Sequence, residues 1–295
     1  MHCPHANLFF VFFLSDTLIL DPRRTAALPS RLTAAAPDFH EMLAHQEIAR
    51  IGLPGFIDST AAGWMISAPA VFNFGTPEMC REIGHKLLTG DKHSCLAISE
   101  PFAGSDVANI RTTAVLSADR THYVVNGVKK WITEGMYSDY FVTAVRTGGD
   151  GASGISLLLI ERSEGVETKL IKTTYSTCPG TALVVFHDVK VPVQNLMGEK
   201  DSGFRKIMYN FNHERWAIVQ NIIGSARAAI ADTFMWAKQR KVFGKPLISQ
   251  PVIRFKLASS IALLVRQLWG WGFRPINFSH IDQPRVAPVA PRVIL

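Results

Sequence analysis

The sequence contains few cysteines, and no two of them stand at a metal-binding or redox spacing. Four of its 295 residues are cysteine, namely Cys3, Cys80, Cys95 and Cys178. This scatter argues against a disulfide framework and against a zinc site, so no metal is expected. It is typical of reduced thiols in an intracellular protein, and it does not distinguish the cytoplasm from an organelle such as the mitochondrion or the peroxisome.

An unbroken apolar run long enough to cross a membrane is also missing. A spanning helix needs ~20 such residues, whereas the apolar run at residues 8–20 is interrupted by Asp16. The run has the length of a signal-peptide core but lacks the basic residues that should precede one. Two interpretations therefore stay open for this segment, a non-native or degenerate N-terminus and a signal or anchor.

Charged residues are scarce and are not clustered by sign. They make up 19% of the chain against 47% hydrophobic residues, which is typical of a globular protein with a sizeable core. The net charge of +7 is not gathered into a basic run of the kind that a nucleic-acid-binding face needs. No nucleic-acid partner is expected, and the mild positive charge is compatible with a phosphate-bearing ligand.

The apolar pattern divides the body of the chain into helical, strand and helical parts. Residues 38–94 have a helical pattern, in which Thr76-Pro77-Glu78 predicts a capped helix start and Gly90 a helix end. From residue 95 to about residue 193 the period is two, and Asn126-Gly127 between two apolar runs predicts a hairpin. Several strands between helical parts predict a β-barrel or sandwich.

The helical period returns at Gly203, with a predicted break near Asn212-His213 and a further helix from Ser249 to about Gln267. The tail after Leu268 has four prolines and no periodicity, so it is expected to be irregular. The predicted fold class is a multidomain α+β chain. Its parts are an atypical segment at 1–37, a helical domain at 38–94, a middle β-barrel or sandwich domain at 95–200, an incomplete C-terminal helical bundle at 201–268 and an irregular tail at 269–295.

Three short segments carry the candidate chemistry. Residues 96–107 read Leu-Ala-Ile-Ser-Glu-Pro-Phe-Ala-Gly-Ser-Asp-Val, an apolar strand followed by a turn that could hold a flat polar ligand. The others are Trp131-Ile132-Thr133 and Arg240-Lys241-Val242-Phe243-Gly244. Each alone has a plain structural alternative: a simple turn, a core tryptophan, or an arginine that stabilises a helix end. In this order and at these separations, they resemble the acyl-CoA dehydrogenase family of flavoproteins, from about Glu47 to about Ala258.

The resemblance implies an FAD-dependent oxidoreductase that acts on an acyl-CoA thioester. A carboxylate would remove the α-proton, and the flavin would take a hydride from the β-carbon. It also implies a homodimer or homotetramer, because part of each flavin site comes from a neighbouring subunit, and an electron acceptor that the residues do not identify. The residues also do not identify the acyl-chain length of the substrate.

The resemblance assigns roles to individual residues by position. Ser105 would contact the coenzyme A moiety, and Lys129 and Lys130 are expected to be solvated strand ends without a ligand role. Arg240 would bind the flavin pyrophosphate across a subunit interface, where its planar fork suits two phosphate oxygens. The full set of implied flavin contacts is Leu96, Ile98, Ser99, Trp131, Thr133, Arg240 and Phe243.

The resemblance to a smaller group of relatives indicates which residue is the catalytic base. In members resembling isovaleryl- and long-chain acyl-CoA dehydrogenases, a glutamate on the long helix stands immediately before an arginine. Here that position reads Glu214-Arg215, so Glu214 is the candidate base and Arg215 a candidate substrate contact. The alternative is an exposed pair in the first turn of a helix. A helix N-terminus would lower the pKa of Glu214, whereas a dry acyl pocket would raise it.

Two other functions stay open. The family would have further bundle helices after residue 268, and this departure suggests a frame shift, an unspliced intron or a truncated gene model. In relatives, a backbone amide from that later region helps to polarise the thioester carbonyl, and the loss of such a donor typically costs ~10²–10³ in rate. The chain could then be a truncated non-catalytic relative that binds flavin or acyl-CoA, or an interaction module. An acyl-CoA oxidase or nitroalkane oxidase of the same fold is the other alternative.

Overall fold

The computed structural model describes residues 36–174 and 176–271. Helices form the first and last thirds of this part, and a β-sheet lies between them. This architecture confirms the predicted fold class. The expectations for the apolar run at 8–20 and for the tail beyond residue 271 lie outside the described residues.

The N-terminal part is a succession of helices. The helical run from residue 54 to residue 74 contains a π-helical segment, Ala62–Ser67, which packs against the first strand of the sheet. A second π-helical segment, Cys80–Gly84, interrupts the next helical run. The α-helices are α1 (Ala36–Ala49), α2 (Pro54–Ala61), α3 (Ala68–Phe74), α4 (Pro77–Met79) and α5 (His85–Thr89).

The predicted helix at Thr76 is confirmed at both ends. The Thr76 hydroxyl accepts a hydrogen bond from the Met79 N–H at 3.2 Å, which satisfies one of the donors that a helix start leaves open. Gly90 ends the run in a left-handed conformation, with φ of 75°. Short polar residues and glycine thus set these boundaries locally.

Seven strands form one mixed sheet that curls around an apolar interior. The strand order is β1-β4-β2-β3-β7-β6, and β5 pairs with β4. One face of the sheet encloses a cluster that includes Phe141 and Phe186, and the other face packs on the helices through a second cluster that includes Val142 and Ile207. The strands are β1 (Ser94–Ala97), β2 (Thr113–Leu116), β3 (His122–Ile132), β4 (Tyr140–Arg146), β5 (Ile155–Glu161), β6 (Val166–Leu170) and β7 (Ala182–Pro192).

The predicted hairpin at Asn126-Gly127 is wrong, because the two apolar runs are halves of the single strand β3. Both halves pair with β7, and the register shifts between Val125 and Gly127. The Asn126 amide exchanges two hydrogen bonds of 2.9 Å with Asp188 on β7. Gly127 has φ of 153°, and a Cβ there would lie 2.5 Å from the Thr112 hydroxyl. The Asn-Gly pair therefore forms a bulge, in which glycine permits a close approach.

The C-terminal part is dominated by one long helix, α6 (Gly203–Gln239). It runs without interruption through Asn212 and His213, so the predicted break there is wrong. A small hairpin, β8 (Lys241–Val242) and β9 (Lys245–Pro246), follows, and then α7 (Pro251–Trp271), which extends a few residues beyond the predicted end. The other short turns are the 3₁₀ segments Val107–Asn109, Ala152–Gly154, Val193–Asn195 and Leu247–Ser249. Of the helices described, none is both long and apolar enough to cross a membrane.

Helix α6 packs closely on α1. The Gln46 Nε2 donates to the Gln220 side-chain Oε1 at 3.0 Å within this buried interface. Gly224 lies beside it, and a Cβ at Gly224 would stand 2.2 Å from the Gln46 carbonyl oxygen and 2.8 Å from the Ala49 Cβ. The missing side chain at Gly224 therefore sets the distance between the two helices.

The Gly224→Ala variant is expected to lower the free energy of unfolding by about 1–3 kcal/mol, because the added methyl group must push two backbones apart. Chemical denaturation measured by circular dichroism checks this. Gly149→Ala is the control, since a Cβ at Gly149 meets nothing within 4 Å. Equal stability of the two variants would contradict the close packing of α1 on α6.

Candidate active site

The ends of β1 and β3 lie side by side and form a cluster of candidate residues. The Lys130 N–H donates to the Ser99 carbonyl oxygen at 2.9 Å, and the Lys129 Nζ donates to the Ile98 carbonyl oxygen at 3.0 Å. These two bonds bring together residues that are more than thirty positions apart in the chain. We call this group the strand-end cluster, and its members are Leu96, Ile98, Ser99, Trp131 and Thr133.

The strand-end cluster rests on a buried ion pair. Lys129 is fully buried, so the expectation that it is a solvated strand end is wrong, and its Nζ lies 2.8 Å from the Glu100 Oε1. Glu100 also accepts the N–H groups of Arg111 at 2.6 Å and Thr112 at 3.0 Å. Burial by itself raises the pKa of Glu100, but Lys129 and these hydrogen bonds outweigh it and leave the pKa below its usual range. The lysine and glutamate thus fix the backbone that follows β1.

Trp131 has an unusual conformation for a residue of its size. Its φ is 65°, in the left-handed region that a bulky side chain rarely adopts, and the residue is 55% exposed. Lys130 was also expected to be a solvated strand end, and unlike Lys129 it is only half-buried. Its Nζ lies 4.8 Å from the Trp131 ring centroid. A strained and exposed aromatic residue of this kind is typical of a functional position.

The hydroxyl groups next to Trp131 are available to a ligand. Ser99 and Thr133 are half-buried, and within the described residues neither hydroxyl makes a hydrogen bond. Donors that are partly withdrawn from water, beside an exposed aromatic plane, fit a flat heteroaromatic group that carries hydrogen-bond acceptors. The strand-end cluster therefore fits the isoalloxazine ring that the resemblance implies.

Ser105 lies on the exposed loop that follows the strand-end cluster. Backbone hydrogen bonds between Glu100 and Ala103, of 2.9 and 3.3 Å, close the turn before it. Phe102 projects from this turn, and the Arg111 guanidinium stacks on its ring at 5.0 Å. Ser105 is exposed and thus accessible to a ligand, and among the described residues no hydrogen bond joins its side chain to the strand-end cluster.

Glu214 lies on the face of α6 that contacts the π-helical segment Ala62–Ser67. On this face, the Asn210 amide donates to the Ile66 carbonyl oxygen at 2.9 Å, and the Asn221 amide contacts the Met65 sulfur at 3.4 Å. Glu214 shares the face because it follows Asn210 by four residues and precedes Asn221 by seven. The same π-helical segment also packs on β1, so it contacts both the helix that carries Glu214 and the sheet that carries the strand-end cluster.

The carboxyl group of Glu214 is half-buried, and its Oε2 atom is buried with no hydrogen-bond partner among the described residues. Burial raises the pKa of Glu214, and Arg215 and His213 oppose the rise without cancelling it. Glu214 stands a dozen residues into α6. The alternative of a first-turn pair therefore does not hold, and no helix N-terminus lowers this pKa.

The sequence did not predict that one carboxylate would bind two histidines, one of them His213, which precedes Glu214. The Glu41 Oε1 lies 2.8 Å from the His213 Nε2 and 3.2 Å from the His45 Nε2, so one carboxylate joins α1 to α6. Burial raises the pKa of Glu41, but the hydrogen bonds from His213 and His45 prevail and lower it to about 2. His45 is fully buried and stacks on Trp64 at 4.7 Å. The contact between Glu41 and His45 could have been predicted from the sequence, because their four-residue spacing places both on one face of a helix.

The remaining candidates lie at the surface. Arg215 is exposed, with its guanidinium 5.7 Å from the Phe211 ring. Arg240 is exposed at the end of α6, and Phe243 is 94% exposed at the tip of the β8–β9 hairpin, with φ of 51°. The hairpin contacts α6, and the structure does not bring it to the strand-end cluster.

Two family models match the chain. The acyl-CoA dehydrogenase middle domain matches residues 95–189, and the acyl-CoA dehydrogenase C-terminal domain matches residues 201–267. Among known proteins, acyl-CoA dehydrogenase apdG of Emericella nidulans is 44% identical over 79% of this chain and 53% of its own length. The mitochondrial isobutyryl-CoA dehydrogenase of Bos taurus is 36% identical over 65% of this chain and 46% of its own length. The chain spans about half the length of the curated relatives it matches.

Solved structures give the same result for the fold. A probable acyl-CoA dehydrogenase from Mycobacterium abscessus superimposes with a TM-score of 0.72 at 31% identity, over 90% of this chain and 77% of that one. An acyl-CoA dehydrogenase from Bacillus anthracis, solved as a complex with FAD, has a TM-score of 0.71 at 31% identity, over 77% of this chain and 39% of that one. Trp131 and Glu214 each fall inside a matched region, and the fold around them is shared, so this chain belongs to the acyl-CoA dehydrogenase family.

Proposed function

We propose that this chain supplies the flavin and acyl-CoA sites of an FAD-dependent acyl-CoA dehydrogenase. The observation that carries the proposal is the strand-end cluster, where Trp131 is exposed in a left-handed conformation beside the available hydroxyl groups of Ser99 and Thr133. The proposal divides the chain into a helical domain at 38–94, a flavin- and acyl-CoA-binding domain at 95–200 and a helical domain at 201–268. The free thiols of Cys80, Cys95 and Cys178 support an intracellular location.

The strand-end cluster would hold the flavin ring. Ser99 and Thr133 would donate their hydroxyl hydrogens to ring acceptors, the backbone at Leu96 and Ile98 would line its edge, and the Trp131 indole would cover one face. When bound, FAD supplies the hydride acceptor of the reaction. The buried Lys129–Glu100 pair supports this role, because it holds the backbone of the cluster in place before a ligand arrives.

Glu214 would remove the proton from the carbon next to the thioester carbonyl. The proton would go to the carboxylate and a hydride from the β-carbon to the flavin. A double bond between the α- and β-carbons would remain. The raised pKa of Glu214 supports the role, because a base works best when its pKa lies near the working pH. Arg215 and Ser105 would contact the coenzyme A part of the substrate from exposed positions.

Arg240 and Phe243 would act in a neighbouring subunit. Arg240 ends α6 and Phe243 lies at the tip of the hairpin that follows it. Both are exposed, and the hairpin packs on α6 of its own chain. A planar guanidinium in such a position suits the pyrophosphate of an FAD bound to a second copy. The proposal therefore includes a homodimer or homotetramer.

A second candidate function is binding of flavin or acyl-CoA without turnover. Apolar side chains such as Ile222, Trp236 and Phe255 are more than half exposed along α6 and α7. An apolar helix surface of this kind normally packs on further structure, and the chain spans about half the length of its curated relatives. A site that binds but does not react is the expected result if contacts to this surface, from outside the described residues, shape the thioester pocket.

The visible flavin spectrum of the purified chain, followed by addition of acyl-CoAs of several lengths without oxygen, tests these functions. Bound flavin that is bleached by an acyl-CoA is the expected result, and the most effective chain length names the substrate class. Bound flavin without bleaching supports the second candidate. Absence of flavin binding, also after addition of free FAD, contradicts the dehydrogenase function and leaves only acyl-CoA binding from the second candidate.

A further inference from the structure

Glu134 occupies the turn that directly follows the flavin-facing end of β3. It comes one residue after Thr133 and three after Trp131, and like Trp131 it has a left-handed backbone, with φ of 61°. The Glu134 N–H donates to the Pro179 carbonyl oxygen at 2.6 Å, and its carbonyl oxygen accepts the N–H groups of Tyr137 and Ser138. The backbone of Glu134 therefore fixes the direction in which the preceding residues leave the sheet.

The side chain of Glu134 crosses from this turn to the N-terminal helices. Its carboxyl group accepts the Gly63 N–H in the π-helical segment Ala62–Ser67. A Cβ at Gly63 would lie 3.2 Å from the Glu134 Oε2 and 3.4 Å from the Ser94 carbonyl oxygen, so the carboxyl group is packed tightly against the helix. One side chain thus joins the end of β3 to the segment that also carries the contacts of the Glu214 helix.

The carboxyl group of Glu134 is almost completely buried, since the residue is 4% exposed. Its Oε2 atom has no hydrogen-bond partner among the described residues. A carboxylate in this position would lack the several donors that normally stabilise a buried negative charge. The geometry therefore suits the neutral acid better than the anion.

The groups around Glu134 do not supply a compensating positive charge. The π-helical segment contributes no ionisable side chain. On the sheet side, the buried Cys95 thiol is coupled electrostatically to Glu134, and burial raises the pKa of Cys95 to about 12, so the thiol is neutral. The Arg162 guanidinium is committed to the carbonyl oxygens of Gly135 and Ser138, at 2.7 Å each. Burial accordingly raises the pKa of Glu134 to about 8, despite the Gly63 hydrogen bond.

We propose that Glu134 is a positioning residue, which as a neutral acid holds the Trp131–Thr133 segment against the π-helical segment Ala62–Ser67 and releases it on ionisation. The inference rests on the proposed function, because Trp131 and Thr133 are the residues that would hold the flavin ring. Since the pKa in the fold lies above that of an unfolded chain, the contribution is complete at acid pH and is lost as the pH rises through about 8. Flavin affinity then falls in alkaline solution.

Hydrogen exchange of the flavin-free chain tests the attachment itself. Protection of amides 131–138 is measured at pH 6.5 and 9.5 and corrected for the intrinsic exchange rates. Protection of these amides in the wild-type chain is expected to fall by about 10- to 30-fold from pH 6.5 to pH 9.5. A loss of this size follows from linkage if the carboxyl group has a pKa of about 8 when attached and an ordinary pKa when released. Glu134→Gln should show no such loss, and Glu164→Gln, which replaces an exposed acid, should behave like wild type. Equal losses in Glu134→Gln and wild type, or none in wild type, overturn the proposal.

A second variant covers the case in which glutamine is not tolerated at residue 134. Gly63→Ala inserts a methyl group beside the carboxyl group, so it should lower the protection of amides 131–138 already at pH 6.5. Unchanged protection in this variant also contradicts the proposal.

Titration with FAD at the same two pH values tests the consequence for the site. The Kd of the wild-type chain is expected to rise by about 10-fold or more at pH 9.5, and that of Glu134→Gln to stay constant. A pH-independent Kd in wild type overturns the positioning role. Absence of FAD binding at both pH values contradicts the proposed function, whereas the exchange result for Glu134 is read independently of it.

Discussion

Substitution of Glu214 by glutamine is expected to abolish exchange of the substrate α-protons with solvent, while flavin stays bound. Glutamine keeps the shape of the side chain in its half-buried position but cannot accept a proton, and loss of a general base typically costs 10²–10⁴ in rate. Because Glu214 makes none of the contacts that would hold the flavin ring, the flavin spectrum should not change. Incubation of the chain with an acyl-CoA in D₂O, followed by mass spectrometry of the thioester, measures the exchange.

The pH dependence of the exchange provides a second readout. Only the ionised carboxylate can accept the α-proton, and burial raises the pKa of Glu214 above its ordinary value. The exchange rate of the wild-type chain should therefore rise with pH through that raised pKa. Glu164→Gln, at an exposed acid, is the matched control and should exchange at the wild-type rate. Exchange that survives in Glu214→Gln assigns the base to another residue.

The Lys129→Met variant is expected to be destabilised by about 3–5 kcal/mol, because it leaves the Glu100 carboxylate buried without its cation. Lys129 is fully buried and its ammonium group also holds the Ile98 carbonyl oxygen at 3.0 Å, so the loss should also disorder the backbone after β1. Denaturation of the flavin-free chain measures the stability. FAD titration of the folded variant should show a weaker complex, since Ile98 and Ser99 lie on that backbone.

Two further variants separate the effect of the Lys129–Glu100 ion pair from other effects of the substitution. Lys190→Met removes an exposed lysine from β7 of the same sheet and should change the stability little. In Lys129→Met with Glu100→Gln, the unpaired charge is gone, so the double variant should recover part of the stability that the single variant loses. A Lys129→Met chain as stable as Lys190→Met would show that the pair is dispensable.

The order of helices, sheet and helices was predictable from the sequence, because it depends on apolar period and on local end signals. Thr76 and Gly90 bound their helix as predicted, since a cap and a left-handed glycine act within a few residues. The matches to the family confirm the family that the three short segments indicate. The individual roles of Trp131, Thr133 and Glu214 stay predictions, to be decided by the experiments above.

Other features depended on residues far apart in the chain. Asn126-Gly127 would favour a hairpin turn locally, but pairing with β7 and the close contact with Thr112 make it a bulge. The polar residues Asn212 and His213 suggest a helix end, yet α6 continues, because His213 binds Glu41 of α1 and the flanking apolar residues pack against the fold. In both places tertiary contacts outweighed a local preference of smaller energy.

By itself, the sequence determined the order of the helical and strand parts and the ends of the helix between Thr76 and Gly90, because apolar period and end signals depend on neighbours within a few positions. Only the tertiary structure decided the environment of the ionisable groups. Lys129 is buried because Glu100, twenty-nine residues earlier, meets it, and Glu134 is buried because Gly63 has no side chain to keep it away. The charge state of a side chain depends on the water, charges and donors that surround it in space, and no local pattern in the chain encodes that surrounding.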